Sequence, residues 1–485
     1  MKNIIKILFT VSVLFMFGCK GQNLRQSVSQ YGITWEFDRP VQCGQFVNGD
    51  WWVIGPVTVV KITPDPGPVS GVKDNIRVNH WNDTSLKPDT TMRNGSMIVL
   101  RAGRRHGYDS RQGSYDRNLS VTLPLQFDPG TSLISTISNT ELPVYNFCID
   151  ILADSEKTSS ANSQIVLKTA AVLTCLKEAP PADAFRPPYA GTDKPIFRAK
   201  DIRWDLLPKL KPVGEVPSWG KMERYLERPW LDHLISWEQQ ELVPNENQPN
   251  YGRECARLVS LASVMLSLDV PQSQKEKLGI ELIQLGIDLY GVAMNGGNWN
   301  EGGGHSSGRK WPILFTGIML NNDQFFNLPA AVFFQEDAQT YYGQGWFGQT
   351  ALWQMIQHHG WRTPYEEKMP QQWEQWDRTS ESYRTCCNAV GWVGTALVAR
   401  YMKAIKIWGH DAYFDYVDRW MQEDDPYEEA RVQGGRPRSN WEKNTFDPFV
   451  TEMWKAYRQS APEQPMSGVR KKWIVKNNRD AWEPN

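Results

Sequence analysis

The sequence carries almost no excess charge of either sign, few histidines, and no long apolar run beyond its first residues. Fifty-three lysines and arginines stand against 54 acids, a formal charge of −1 over 485 residues. That balance excludes the basic face that nucleic-acid binding needs, so no nucleic-acid partner is expected. A mean hydropathy of −0.51 excludes a multi-span membrane protein. Charged residues at 22% and aromatics at 12% exclude a disordered chain. There is no P-loop, no H-E-x-x-H helix, and no nucleophile elbow or Rossmann fingerprint in a strand-turn-helix setting. No C-x-x-C or Cys/His spacing suggests zinc, and His358-His359 lacks a carboxylate at ligand spacing, so no metal or other cofactor is expected.

What is there begins with an export signal. Lys2 and Lys6 precede an apolar run over 7–17, too short to span a bilayer as a helix. The ending Leu14-Phe-Met-Phe-Gly18-Cys19 resembles a bacterial lipobox, which implies cleavage before Cys19 and a lipid on that residue. An ordinary signal peptide with an incidental cysteine is the alternative. The expected location is therefore a bacterial membrane, facing the periplasm or the cell surface, with residues 20–30 as a polar tether. Export permits disulfides. A Cys148–Cys175 bridge is open, the other thiols are expected buried and free, and adjacent Cys386 and Cys387 are not expected to pair because a vicinal bridge is strained.

The chain changes character near residues 178–220. From 31 to 177, short β-rich runs alternate with Gly/Pro turn signals: 51–62, 96–100, 119–127, 132–137 and 164–176. These predict an antiparallel β-sandwich. Residues 178–220 are proline-rich but hold Phe185, Tyr189, Phe197 and Trp204, poor residues for a free linker, so they read as a strap across both domains. Over 221–485 the spacing is helical, with helices expected at 221–242, 251–268, 275–294, 308–321, 346–358, 386–408, 411–421 and 446–458. Successive helices with Gly-rich connections predict an α/α toroid of helical hairpins, complete or partial. The fold class is thus α+β multidomain, a β-sandwich followed by a toroid.

Polar interruptions between apolar helices are the candidate sites. Residues 295–311 (NGGNWNEGGGHSSGRKW) carry Asn298, Trp299, Asn300, Glu301, His305, Arg309 and Trp311. Glycines there allow unusual backbone angles and close ligand approach. His305 sits on a loop between Gly304 and Ser306, and structural and chemical roles are both open to it. Residues 333–348 supply Glu336, Asp337, Tyr341, Tyr342 and Trp346; residues 381–392 supply Arg384 and Asn388; residues 250–254 supply Tyr251 and Arg253. Loop packing and helix capping are the plain alternatives for each.

Twenty-two tryptophans and 17 tyrosines suit a cleft that stacks on sugar rings, with Asn, Arg and Glu binding hydroxyls and carboxylates. With the export signal, a helical region beside a β-region, and this residue mixture, the chain resembles secreted bacterial α/α-toroid carbohydrate-active enzymes, in particular uronate polysaccharide lyases, although many of those carry the β-domain after the helices. The resemblance lies in architecture and residue mixture, without a full motif match. It implies a polysaccharide or oligosaccharide substrate and β-elimination. A carboxylate neutraliser is needed to acidify the C5 proton, for which Asn300 or Asn298 with Arg309 are candidates. A base is needed, for which His305 is suited, and an acid for the leaving oxygen, Tyr341 or Tyr342. The alternatives are glycoside hydrolysis by two carboxylates drawn from Glu301, Glu336, Asp337 and Glu381, and a non-catalytic glycan-binding lipoprotein.

Overall fold

The computed structural model describes residues 23–69, 91–140, 165–235, 237–299, 303–356, 362–422, 445, 447–464, 471–476 and 479–484. The leader, Cys19 and Cys148 lie outside the described residues. No described helix is long and apolar enough to cross a membrane. The fold is mixed α/β: a curled sheet followed by helices.

The sheet contains β1 (Leu24–Gln30), β2 (Ile33–Gln45), β3 (Trp51–Ile54), β4 (Val57–Thr63), β5 (Gly67–Pro68), β6 (Arg93–Ile98), β7 (Leu125–Phe127), β8 (Thr131–Ser138) and β9 (Leu167–Leu176). Hydrogen bonding joins them in the order β5-β6-β8-β9-β3-β2-β4-β7, with β1 on β2. The long β2 causes the curl. Its first residues pair with β1 and β4, Val41 and Gln42 pair again with β1, and Cys43–Gln45 pair with β3, so one strand serves both halves of the sheet. The halves close over Trp35, Phe37, Val59, Phe127, Leu133 and Leu173. Trp35 Nε1 donates across this core to Ser135 Oγ at 3.0 Å.

Side chains of a strand alternate between faces. On β9, Leu173 and Cys175 enter that core, whereas Ala170 and Val172 join a second core shared with the helices. A strand buried on both faces is a near-continuous apolar run, and 170–173 (AAVL) is one. Phe185, Tyr189, Phe197, Ile202, Leu207 and Leu210 of the proline-rich connection belong to the same second core. Arg186, fully buried, bonds Asp50 of the sheet region and Asp288 of the helical region (Nη1–Oδ1 2.8 Å). A buried guanidinium needs such carboxylates to offset its desolvation.

The helices are α1 (Trp219–Leu226), α2 (Gly252–Leu266), α3 (Gln272–Met294), α4 (Lys310–Met319), α5 (Gln335–Gln339), α6 (Gln375–Cys387), α7 (Val393–Tyr401), α8 (Ile405–Trp408), α9 (Asp411–Gln422) and a last helix, Pro448–Tyr457. α2 is buried throughout and lies against α1, α3, α7 and the last helix.

Three expected helices differ. The 221–242 helix stops at Leu226, since the Arg228-Pro229 pair disfavours helix at its first residue. The described part of the 346–358 segment is loop and strand rather than helix: β10 (Thr340–Tyr342) pairs with β11 (Ala351–Trp353) around a loop with glycines at 343, 345 and 348, and β12 (Met355–Ile356) pairs with β13 (Arg362–Thr363). The 386–408 helix is broken at Asn388, with φ −130° and ψ −90°, and again at Lys403, with φ 57°.

The expectation for the adjacent cysteines is also corrected: Cys386 and Cys387 form a disulfide with Cα atoms 3.7 Å apart. It sits at the last turn of α6, where the backbone leaves helical geometry at Asn388. Cys43, Cys175 and Cys255 are free and buried, so Cys175 makes no bridge.

Candidate functional site

Four of the polar segments meet at residues 303–306. Ser306 N donates to Gln335 Oε1 at 2.7 Å, and Gln335 Nε2 donates to Asn388 Oδ1 at 2.7 Å. Asn388 Nδ2 in turn donates to Tyr383 O at 2.9 Å. These buried amides tie the glycine loop, α5 and the end of α6 together. From the start of α2, the Tyr251 hydroxyl donates to Gly303 O, and Arg253 Nη1 donates to Cys386 O at 2.6 Å.

The glycine backbone makes this convergence feasible. Gly303 and Gly304 have φ of 73° and 94°, the left-handed region that favours glycine. A Cβ on Gly304 would lie 2.5 Å from Cys387 O, so the loop rests directly on the disulfide. A Cβ on Gly303 would lie 3.2 Å from Tyr383 Cε1 and 3.6 Å from His305 Cδ2, so both rings border that residue. The Tyr251 ring meets His305 edge-on at 5.1 Å. His305 and Tyr383 are half-buried, and Tyr251 is buried. Burial pushes the Tyr383 phenol up, which keeps its proton on and suits it to donate rather than accept. The result is one histidine and two tyrosines around a glycine turn.

Other expected residues are placed elsewhere. Arg309 is buried against Asp232 (Nη2–Oδ1 3.0 Å, Nε–Oδ2 3.1 Å) and donates to Ser307 O. Tyr341 and Tyr342 point to opposite sides of β10, the first donating to Glu367 Oε1 at 3.0 Å and the second to Asp415. Trp299 is buried and stacked on Phe334 at 5.5 Å, and Trp311 is buried with Nε1 on Ser263 Oγ. Trp346 is exposed beside Phe347. Asn298 Nδ2 bonds Ala331 O at 2.7 Å, which pins the loop to the chain before α5. Asn300 and Glu301 lie outside the described residues.

The carboxylates differ in their commitments. Asp337 is paired with Lys310 and accepts from Trp408 Nε1. Glu381 is fully buried, bonded by Arg384 (Nε–Oε2 2.8 Å) and by the Tyr365 hydroxyl at 2.6 Å. Arg384 thereby belongs to a buried network with Glu381, Glu366 and Tyr416. Glu336 is buried with Oε2 unbonded, and burial, then Asp337, pushes its carboxyl up to about 7. Among the described residues no group of three or more His, Cys, Asp or Glu could hold a metal ion.

Two strings deserve their structural setting. Gly304-His305-Ser306-Ser307-Gly308 spells G-x-S-x-G, but Ser306 follows a loop rather than a strand. Gly343-Gln-Gly345-Trp-Phe-Gly348 spells G-x-G-x-x-G, but it links β10 to β11 rather than opening a helix. Neither carries its usual chemistry here.

Gln335 and Tyr383 are the site residues that sequence reasoning missed. Tyr383 stands four residues before Cys387, hence on the same helix face. That spacing, inside a segment already marked as polar, was the available signal. Comparison with known protein families, with curated proteins and with solved structures finds no match to this chain.

Proposed function

We propose that the chain is a polysaccharide lyase that cleaves a uronate-containing glycan by β-elimination. The observation that carries this is the grouping of His305, Tyr383 and Tyr251 around Gly303. His305 takes the C5 proton, since a neutral imidazole is a base near neutral pH. Tyr383, held protonated by burial, gives its proton to the leaving O4. Tyr251 fixes the glycine loop through Gly303 O. Arg309, paired with Asp232, leaves the proposed set, and the same holds for Tyr341 and Tyr342; carboxylate neutralisation then falls to the loop amides, Asn300 among them.

In this reading the curled sheet is a β-sandwich-like lobe and the helices form part of an α/α toroid. The Cys19 lipid holds the protein at a bacterial membrane. The hydrolase alternative has weaker support, because Asp337 and Glu381 are committed to ion pairs, which among the described residues leaves Glu336 without a partner acid; Glu301 lies outside them. A panel of uronate and neutral polysaccharides tests the proposal. Ultraviolet absorbance from unsaturated uronate ends, rising with reducing ends, is the expected result. Reducing ends without absorbance would mean hydrolysis.

A further inference from the structure

A polar concavity lies on the sheet half of the molecule. Asp65, Arg93, Asn94, Arg117 and Thr122 line an open cavity of about 350 Å³, with Leu123 among its apolar walls. That volume is within the range of small-ligand sites, roughly 300–1,000 Å³. It sits in a basic stretch of a nearly neutral chain: residues 93–117 hold six arginines against two aspartates. The two aspartates are taken. Arg111 is buried on Asp109, and Arg105 pairs with Asp116. The guanidinium groups of Arg93 and Arg117 have no carboxylate partner among the described residues; only the Arg93 backbone N–H reaches Asp109. The Arg93 guanidinium lies over the Tyr115 ring at 5.8 Å, which steadies it without neutralising it.

We propose that this cavity binds an anionic saccharide, with the acid group of the sugar held by Arg93 and Arg117. An arginine fork matches a carboxylate or a sulfate ester. Asp65 would repel a bare anion but accepts hydrogen bonds from sugar hydroxyls, and Asn94 and Thr122 add neutral polar groups. The set therefore selects an anion that carries hydroxyls over an inorganic ion. Uronates and sulfated sugars share that chemistry. The proposal is independent of the lyase reading, because it concerns binding on the sheet and requires no turnover.

The test is calorimetric titration of the full chain with three probes: a uronate oligosaccharide, the same oligosaccharide with its carboxyls reduced to alcohols, and a sulfated neutral oligosaccharide. The variants are Arg93→Gln, Arg117→Gln and Arg117→Glu, each first checked for an unchanged melting temperature. Both arginines are at least partly exposed, so folding should survive. One or both anionic probes should bind, the reduced probe should not, and each Gln variant should weaken binding about tenfold or more, since each loses a charge-assisted hydrogen bond. The anionic probe that binds tells carboxylate from sulfate. Arg117→Glu should abolish the binding. Equal binding of the reduced probe, or wild-type affinity in all three variants, overturns the proposal. Loss of affinity in these variants upholds it whether or not the protein cleaves any glycan.

Discussion

Replacing His305 by alanine or Tyr383 by phenylalanine should lower turnover by about 10² or more, the scale of a proton-transfer group. Melting temperature should barely move, because neither ring is fully buried. Tyr341→Phe should leave the rate near normal, since its hydroxyl serves Glu367. The buried network behaves differently. Arg384→Met strips Glu381 of its guanidinium and should cost about 3–5 kcal/mol, the penalty for leaving a buried charge unpaired. Denaturant melts check this; an undiminished midpoint with a raised KM would return Arg384 to substrate binding. Glu336 adds a pH signature. Its folded value near 7 lies above the ordinary carboxylate value, so the unfolded chain sheds this proton first as pH rises. Glu336 thus weakens the fold progressively between about pH 4.5 and 7. Glu336→Gln should raise the melting temperature above pH 7 and change little near pH 4.5.

At the scale of elements, the glycine turn is the part whose geometry the proposed chemistry depends on. Gly304→Ala meets both a positive φ and a carbonyl 2.5 Å away, whereas Gly348→Ala, with φ 96°, meets no atom within 4 Å. Gly348→Ala should cost only the backbone strain, about 1–2 kcal/mol, and keep activity. Gly304→Ala should cost more and displace His305, which activity assays and melts on both variants would show.

The same elements mark what the sequence revealed. β9 and α3 were legible, one from the β-rich run over 164–176 and the other from the helical spacing over 275–294. The hairpin from Thr340 to Trp353 was not, because each strand is only three residues long, too short to show a period-two pattern. α6 was missed for the opposite reason. Its residues 375–387 are mostly polar and present no apolar stripe, so Tyr383 went unplaced on a helix face. The four polar segments were recognisable as interruptions, but which side chains meet there depends on the buried amides of Gln335 and Asn388. The pairing of Arg309 with Asp232, 77 residues apart, was equally invisible.

At the scale of the molecule, one continuous core joins β9, the proline-rich connection and the helices. Residues 221–485 expressed alone should therefore be insoluble or molten, and a soluble fragment with cooperative unfolding would contradict that. His106 and His233 lie along the same seam, where the Tyr108 hydroxyl contacts His233 Nε2 at 3.3 Å. Burial lowers them to about 4 and about 3. Their neutral forms support the fold fully above about pH 6.5, and that support is lost as pH falls toward the folded values, because the unfolded chain takes up the protons first. Acid titration of stability should show the loss beginning near pH 6, and His233→Gln should shallow it.

The central claim is that cleavage proceeds by elimination at His305 and Tyr383. Digestion of a uronate polysaccharide in oxygen-labelled water, with the products weighed by mass spectrometry, tests it most directly. Elimination itself adds no solvent oxygen and leaves an unsaturated uronate at each new non-reducing end, and His305→Ala should yield neither product nor label. Labelled oxygen at the new ends, with no unsaturation, would contradict the account.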